Sequence, residues 1–386
     1  MTADFDALRR RLAEQMDQRG LFFDTPWLRA AFDKAPRHLF VPDEIWRVRG
    51  RAYRPLRRAD DEQQWAEEVY GDPLAPTITQ VDDGHPDPPG EGQWPTSSAS
   101  CPAAVMDMLD SLDLDPGHRV LEIGTGTGWN AALLSERAGA ENVVTIEIDP
   151  GLADTARDTL HQVGQHPTVV CADGEKGWPD GASFDRVIAT CAVYQVPYAW
   201  VEQTRPGGII VTPFASTLVC DDGLACLQVG EDGTASGHFH GGLRFMRMRS
   251  QRWDQSTLTG VDFEEDDATP VTRDLAPLEE GGHLTMALAF QLPGVVWERT
   301  GGDWWFHDGT GPAGSWACVF PWSEGRRVFQ SGPRRLWDGI EQAWDWWMGA
   351  GEPRLWDFGL TVTSERQWVW CRDPKAGPRW AVGGGG

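Results

Sequence analysis

Lysine is scarce in this chain: of 34 basic residues, only Lys34, Lys176 and Lys375 are lysines. Acidic residues number 58, and the formal net charge is -24. A nucleic-acid partner calls for basic stripes that neutralise phosphates, so none is expected. Arg244, Arg247, Arg249 and Arg252 form one basic cluster, which reads as a solvated strand or helix face. No apolar run approaches the ~18 residues that span a bilayer, so no membrane partner is expected. The N-terminal MTADFDALRRRLAEQMD lacks the apolar centre of a secretion signal, and we expect a cytoplasmic protein. The 7 cysteines (Cys101, Cys171, Cys191, Cys220, Cys226, Cys318 and Cys371) are scattered and include no CxxC pair. That pattern fits reduced thiols and excludes a disulfide scaffold or a zinc site. His238 and His240 have no third ligand beside them, so no metal is expected.

What is present suggests three parts. Residues 1–95 form a helical and loop segment on the substrate side. Phe5, Leu8, Leu12 and Met16 fall at helical steps there, and residues 1 to about 60 read as helical. Residues 71–95, dense in Pro, Gly and Asp, read as a long loop. Residues 96–235 alternate strand and helix: AAVMDMLDSLDL helix, VLEIG strand, WNAALLSERAG helix, NVVTIEID strand, PGLADTARDTLHQVG helix, then TVVCAD, FDRVIATCAV and GGIIVTPF strands. This is the βαβ rhythm of an α/β, doubly wound, Rossmann-like sheet. Residues 236–386 read as an additional α+β domain. They hold 14 of the 21 tryptophans, starting at Trp253. Trp304-Trp305 and Trp346-Trp347 read as core residues, with a peptide-binding surface as the alternative.

The sheet's first strand runs into Gly124-Thr-Gly126-Thr-Gly128. Glycines permit a sharp turn and close approach to a ligand. A dinucleotide loop is GxGxxG and receives pyrophosphate. Here the spacing is GxGxG, and Glu122 stands two residues before it. A carboxylate at that point repels pyrophosphate and favours a cationic amino-acid end, as in S-adenosyl-L-methionine. Glu147 closes the second strand, placed for ribose hydroxyls. Asp173-Gly174 follow the third, placed for an adenine amino group.

These residues carry a resemblance. PRHLFVP (Pro36 to Pro42), Gly90-Glu-Gly-Gln93, the Ser100-x-Pro102 step, VLEIGTGTGWNAALL, VVTIEID, ADGEKGWP, FDRVIATCAV and RPGGIIVTPF occur in order. Over roughly residues 30 to 215 the chain resembles the protein-L-isoaspartate O-methyltransferase family. The resemblance implies a methyltransferase sheet and S-adenosyl-L-methionine as cofactor. It implies cofactor-binding roles for Glu122, Gly124, Thr125, Gly126, Gly128, Asn130, Glu147, Asp173 and Gly174, and a peptide or protein substrate carrying Asp or isoAsp.

The departures are local. The family's GQTISQP is here GQWPTSSASCP, with Cys101 in place of the usual glutamine. Arg51 to Pro89 is expanded, and the Trp-rich region has no counterpart in the housekeeping repair enzymes. A C-terminally extended branch, associated with ribosomally made modified peptides, is similar. Its enzymes methylate an ordinary aspartate of a cyclised peptide, leading to aspartimide or isoaspartate. That is the preferred expectation; general isoaspartyl repair is the alternative, and a noncatalytic peptide-binding protein the third reading.

A carboxylate acceptor is already ionised at neutral pH, so no general base is required. It must be held in line with the methyl group and shielded from water. Neutral hydroxyls suit this, which points to Ser100 as the catalytic residue, with Thr96, Ser97 and Ser98 as substrate-binding helpers. The alternative for Ser100 is a cap on the helix that begins near Pro102. His38, in PRHLFVP, reads as a turn residue.

Overall fold

The computed structural model describes residues 2–216, 218, 222–252, 268–309, 314–323 and 325–383. Trp253 and Cys220 lie outside the described residues. The chain divides into two compact units. The first holds residues 1–191, 197–212 and 228–233; the second holds 192–196, 213–227 and 234–386.

In the first unit, α1 (Phe5–Gln18) and α2 (Pro26–Lys34) lead into a β-hairpin, β1 (Glu44–Arg49) and β2 (Ala52–Arg57). Next come α3 (Glu62–Tyr70), β3 (Thr77–Val81) and β4 (Pro95–Ala99). The helical stripe is realised: Leu8, Leu12 and Met16 are buried in α1. The expectation of helix to about residue 60 is corrected, and the loop over 71–95 is interrupted by β3. β2-β1-β3-β4 form a four-stranded sheet. Pro36 and Pro42 end helical structure, and EIWRVR then alternates around Ile45, which is buried. TITQV is β-branched and pairs antiparallel with PTSSA.

The rest of this unit follows the doubly wound plan. It runs α4 (Pro102–Ser111), β5 (Val120–Ile123), α5 (Trp129–Ala138), β6 (Val143–Glu147), α6 (Pro150–Gln162), β7 (Thr168–Cys171), β8 (Phe184–Ala189), α7 (Tyr198–Glu202) and β9 (Thr204–Phe214). The order β7-β6-β5-β8-β9 is parallel throughout. Every residue of β5 is buried, as a central parallel strand requires. The order reverses between β5 and β8, and crevices outside the carboxyl ends at such a point receive ligands. Gly124 and Thr190 stand just past those two ends.

The second unit contains β10 (Asp222–Val229), β11 (Ala235–Leu243), β12 (Thr269–Val271), α8 (Ala276–Glu280), α9 (His283–Gln291), β13 (Val296–Thr300), β14 (Asp303–His307), β15 (Trp316–Trp322), β16 (Gly325–Ser331), α10 (Leu336–Gly349), β17 (Phe358–Val362), β18 (Gln367–Cys371) and β19 (Arg379–Val382). β11, β17, β18 and β19 pair antiparallel in that order, and β12-β16-β15-β14-β13 make a five-stranded antiparallel sheet. Tryptophan serves here as core: Trp304, Trp337 and Trp344 are buried with Phe306 and Ile340, and Trp347 packs against them. His238 is held within this unit by Trp356 O and the edge of Trp370. Among the described residues, no helix is long and apolar enough to cross a membrane.

Truncating a buried tryptophan leaves a large void, worth about 3–5 kcal/mol. Trp337→Ala is therefore expected to bring an early unfolding transition in calorimetry, with the rest of the chain melting as before.

Candidate active site

The glycine loop is fixed by backbone and by one carboxylate. Gly124 N and Thr125 N donate to Ile146 O at 2.8 and 3.1 Å. The Thr125 and Thr145 hydroxyls meet at 2.6 Å. Gly126 N donates to Glu147 Oε2 at 2.9 Å, and Asp149 N donates to Glu147 Oε1 at 3.1 Å. Glu147, at the end of β6, thus ties the loop to the start of α6.

At Gly124 both space and backbone conformation exclude a side chain, while at Gly126 the backbone conformation alone disfavours one. Gly124 has φ 94°, and a Cβ there would lie 2.9 Å from Thr190 Oγ1. Gly126 has φ 51°, and its Cβ would lie 3.5 Å from Ser98 O and 3.9 Å from Ser97 Oγ. The second observation brings the hydroxyl segment directly onto the cofactor loop. Asp173-Gly174 arrive from another side: a Cβ on Gly174 would stand 2.5 Å from Ile123 Cγ2, at the end of β5. Trp200 Nε1 holds Gly174 O at 2.8 Å, and Asp173 accepts from Glu175 N at 3.0 Å. Gly128 is the N-cap of α5.

Glu122 lies fully buried at the end of β5. Asn130 Nδ2 donates to its Oε1 at 2.7 Å. Among the described residues, Glu122 Oε2 and Asn130 Oδ1 are buried without a hydrogen-bond partner. Two orphaned acceptors beside a glycine loop call for donors. An ammonium brings three; a pyrophosphate brings none. The residues therefore fit S-adenosyl-L-methionine, and they offer nothing that would hold a pyrophosphate in the place of its ammonium. Burial pushes the Glu122 carboxyl up to about 7; the Thr145 hydroxyl and the Asn130 amide oppose the rise, and the Glu147 charge adds to it.

The middle of the segment GQWPTSSASCP forms strand β4. Its entry is pinned by Asp82, whose carboxylate accepts from Gln93 N and Trp94 N, each at 2.9 Å. Thr96 is engaged: its hydroxyl donates to Gln80 Oε1 at 3.0 Å and accepts from Asp83 N at 3.0 Å. Gln80 Nε2 in turn donates to Asp149 Oδ2 at 3.3 Å. Among the described residues, nothing hydrogen-bonds the hydroxyls of Ser97, Ser98 or Ser100. Ser100 does not cap α4, since the N-cap is Cys101 and no side chain caps that helix. The Cys101 thiol instead donates to Pro73 O at 3.1 Å.

PRHLFVP holds a residue that motif reading passes over. His38 stacks on Phe5 at 4.3 Å and its Nδ1 hydrogen-bonds with Tyr70 OH at 2.7 Å, and burial lowers its pKa; it secures the turn. Its neighbour Arg37 is 1 % exposed and reaches β4. Gln80, Asp149 and Thr190 were equally invisible, since each acts through a contact distant in sequence.

The pH dependence of Glu122 has a definite sign. Unfolded, its carboxyl ionises near the ordinary 4.5; folded, it holds its proton to about 7. Between those values the folded state binds more protons. Its contribution to stability is thus fully present below about 4.5 and declines as pH rises through about 7. A cationic ligand offsets the cost of ionisation. Relative to Glu122→Gln, wild-type affinity for S-adenosyl-L-methionine should rise several-fold between pH 6 and pH 7.5 in titration calorimetry; parallel profiles would refute the assignment.

Comparison with known proteins places the chain in a family. The family model for protein-L-isoaspartate(D-aspartate) O-methyltransferase (PCMT) matches residues 89–247. A protein-L-isoaspartate O-methyltransferase of Methanopyrus kandleri is 33% identical over 247 residues, which is 63% of this chain and 92% of that protein. One from Pyrococcus horikoshii is 32% identical over 240 residues, 62% of this chain and 91% of that protein. A solved protein-L-isoaspartate O-methyltransferase shares the fold at TM-score 0.54 and 19% identity, covering 95% of this chain and 100% of its own. That superposition extends into residues 236–386, the region that motif comparison leaves without a counterpart. The chain belongs to the protein-L-isoaspartate O-methyltransferase family; it is a methyltransferase, and its cofactor is S-adenosyl-L-methionine.

Proposed function

We propose that the protein methylates the free carboxylate of isoaspartyl residues in peptides and proteins, and that Ser100 holds that carboxylate. The observation that carries this is the approach of Ser97 and Ser98 to Gly126, with Ser100 one residue past the end of the same strand. The relatives named above, at 33% and 32% identity, favour the isoaspartyl acceptor. S-adenosyl-L-methionine supplies a methyl on a sulfonium; its transfer to a carboxylate oxygen breaks the C–S bond and leaves a methyl ester and a neutral thioether.

In this reading the chain's residues bind and orient. Glu122, Asn130, Glu147, Asp173 and the loop Gly124-Thr125-Gly126, with Gly128 behind it, hold the cofactor, and Gly174 closes its wall. The hydroxyls of Ser97, Ser98 and Ser100 are free to donate to a carboxylate. Such neutral donors fix its direction without neutralising it, as an arginine fork would. Thr96, being engaged by Gln80 and Asp83, supports the strand. Residues 1–95 and 96–235 then supply every group that the reaction uses.

An ordinary aspartate of a cyclised, ribosomally made peptide is the second reading, with aspartimide as its consequence. GQWPTSSASCP, which departs from GQTISQP at the acceptor strand, favours it. The length of the C-terminal region no longer does, because a solved family member superposes over 95% of the chain.

Ser100→Ala is expected to lower methyl transfer to an isoaspartyl peptide about a hundredfold, the scale of one lost oriented donor. Its affinity for S-adenosyl-L-homocysteine should stay within about twofold of wild type. Full activity in the variant would remove Ser100 from the site. Efficient wild-type transfer to a cyclised aspartyl peptide, with none to the isoaspartyl peptide, would replace the first reading with the second.

A further inference from the structure

Arg37 is a buried cation without an anion. It is 1 % exposed. Its Nε donates to Val69 O at 3.2 Å and its Nη2 to Ala99 O at 2.8 Å. Its guanidinium stacks 4.7 Å from the centre of the Trp129 ring, on the first residue of α5. Nη1 is buried and has no hydrogen-bond partner among the described residues. No described carboxylate forms an ion pair with it. Burial lowers its pKa to about 10, with Tyr70 and Cys101 as its charged-state neighbours; it remains a cation at neutral pH.

Such a group is costly. A buried charge is normally paired, and an unpaired one destabilises the fold by several kcal/mol. Packing alone does not call for it, since a methionine would fill a similar volume against Trp129 without charge. The position gives the reason. Arg37 is bonded to the carbonyl of Ala99, the residue before Ser100, and it lies on the helix that follows the glycine loop. The cation therefore stands behind the strand end that carries the candidate acceptor hydroxyl.

We propose that Arg37 is a positioning and specificity residue, supplying from beneath β4 the positive charge that selects a carboxylate acceptor over a neutral carboxamide. The inference rests on the proposed acceptor site. Two of its guanidinium nitrogens are occupied by backbone carbonyls, so it cannot form a two-armed fork with the substrate. It attracts the carboxylate through low-dielectric protein while the serine hydroxyls make the direct bonds. An oxygen lone pair is left available for methyl attack. Methylation then removes the negative charge, so the same cation gives no hold on the ester product and favours its release.

The test compares two peptides that differ only in the acceptor group. An isoaspartyl hexapeptide is the substrate, and the matching isoasparaginyl carboxamide is a competitive inhibitor. KM, kcat and the inhibition constant are measured for wild type, Arg37→Met and Arg37→Lys, with S-adenosyl-L-homocysteine affinity as the control for an intact site. Coulombic attraction across several ångströms of protein is worth roughly ten- to fiftyfold. Arg37→Met should raise KM for the isoaspartyl peptide by about tenfold or more, with the carboxamide constant unchanged. Arg37→Lys keeps the charge and loses the hold on Val69 and Ala99, so it should keep the preference even where kcat falls. Equal weakening of both peptides in Arg37→Met, or no change in either, would reduce Arg37 to a structural plug. If Arg37→Met does not fold, Arg37→Gln decides, since it removes the charge and keeps a donor for a backbone carbonyl: a lost preference for the carboxylate supports the proposal and a preserved one overturns it. Wild-type turnover of the isoaspartyl peptide stands apart from these outcomes; its absence would overturn the acceptor reading itself.

Discussion

The bond from Gly126 N to the Glu147 carboxylate sets the geometry on which the site depends. It holds the glycine loop against the end of β6. On its other side Gly126 faces β4, with Ser98 O and Ser97 Oγ at van der Waals distance from where a Cβ would stand. A carboxylate whose second oxygen receives Asp149 N cannot move independently of α6. Asp149 in turn receives Gln80, which receives Thr96. One connected set of hydrogen bonds thus passes from the cofactor loop to the candidate acceptor strand and sets their separation.

Electrostatics adds a second constraint. Glu122 and Arg37 are buried ionisable groups of opposite type, and each lacks an ionic partner among the described residues. Burial moves each toward its neutral form, Glu122 up to about 7 and Arg37 down to about 10. A fold optimised for stability alone would replace both with apolar side chains. Their retention is consistent with a reaction that joins a cationic cofactor to an anionic acceptor. Each buried charge would find its counterpart only when both ligands are bound.

The βαβ part was readable because its signals are local. VLEIG followed by alternating glycines is a strand, a turn and a helix start, and these appear as β5, the loop and α5. Glu122, Glu147 and Asp173 stand at successive strand ends, so their order in sequence predicts their convergence at one edge of the sheet. The N-terminal sheet was not readable in the same way. TITQV is five residues within a Pro- and Gly-rich stretch, and only its pairing with PTSSA makes it a strand. The same pairing makes residues 95–99, within GQWPTSSASCP, the strand that meets Gly126. Arg37 escaped notice because its role depends on Val69, Ala99 and Trp129, all distant in sequence. Of the tryptophans read as core, Trp304 is buried, whereas Trp305, Trp346 and Trp347 are half-buried.

The central claim is that the glycine loop and β4 together form one site for cofactor and acceptor. Hydrogen exchange with mass spectrometry tests it directly, comparing the free protein, its complex with S-adenosyl-L-homocysteine, and the ternary complex with an isoaspartyl peptide. The account predicts that S-adenosyl-L-homocysteine slows exchange at residues 124–130, 147–149 and 173–174, and that the peptide adds protection at residues 95–101. Peptide-induced protection confined to other segments, with β4 unchanged, would contradict it.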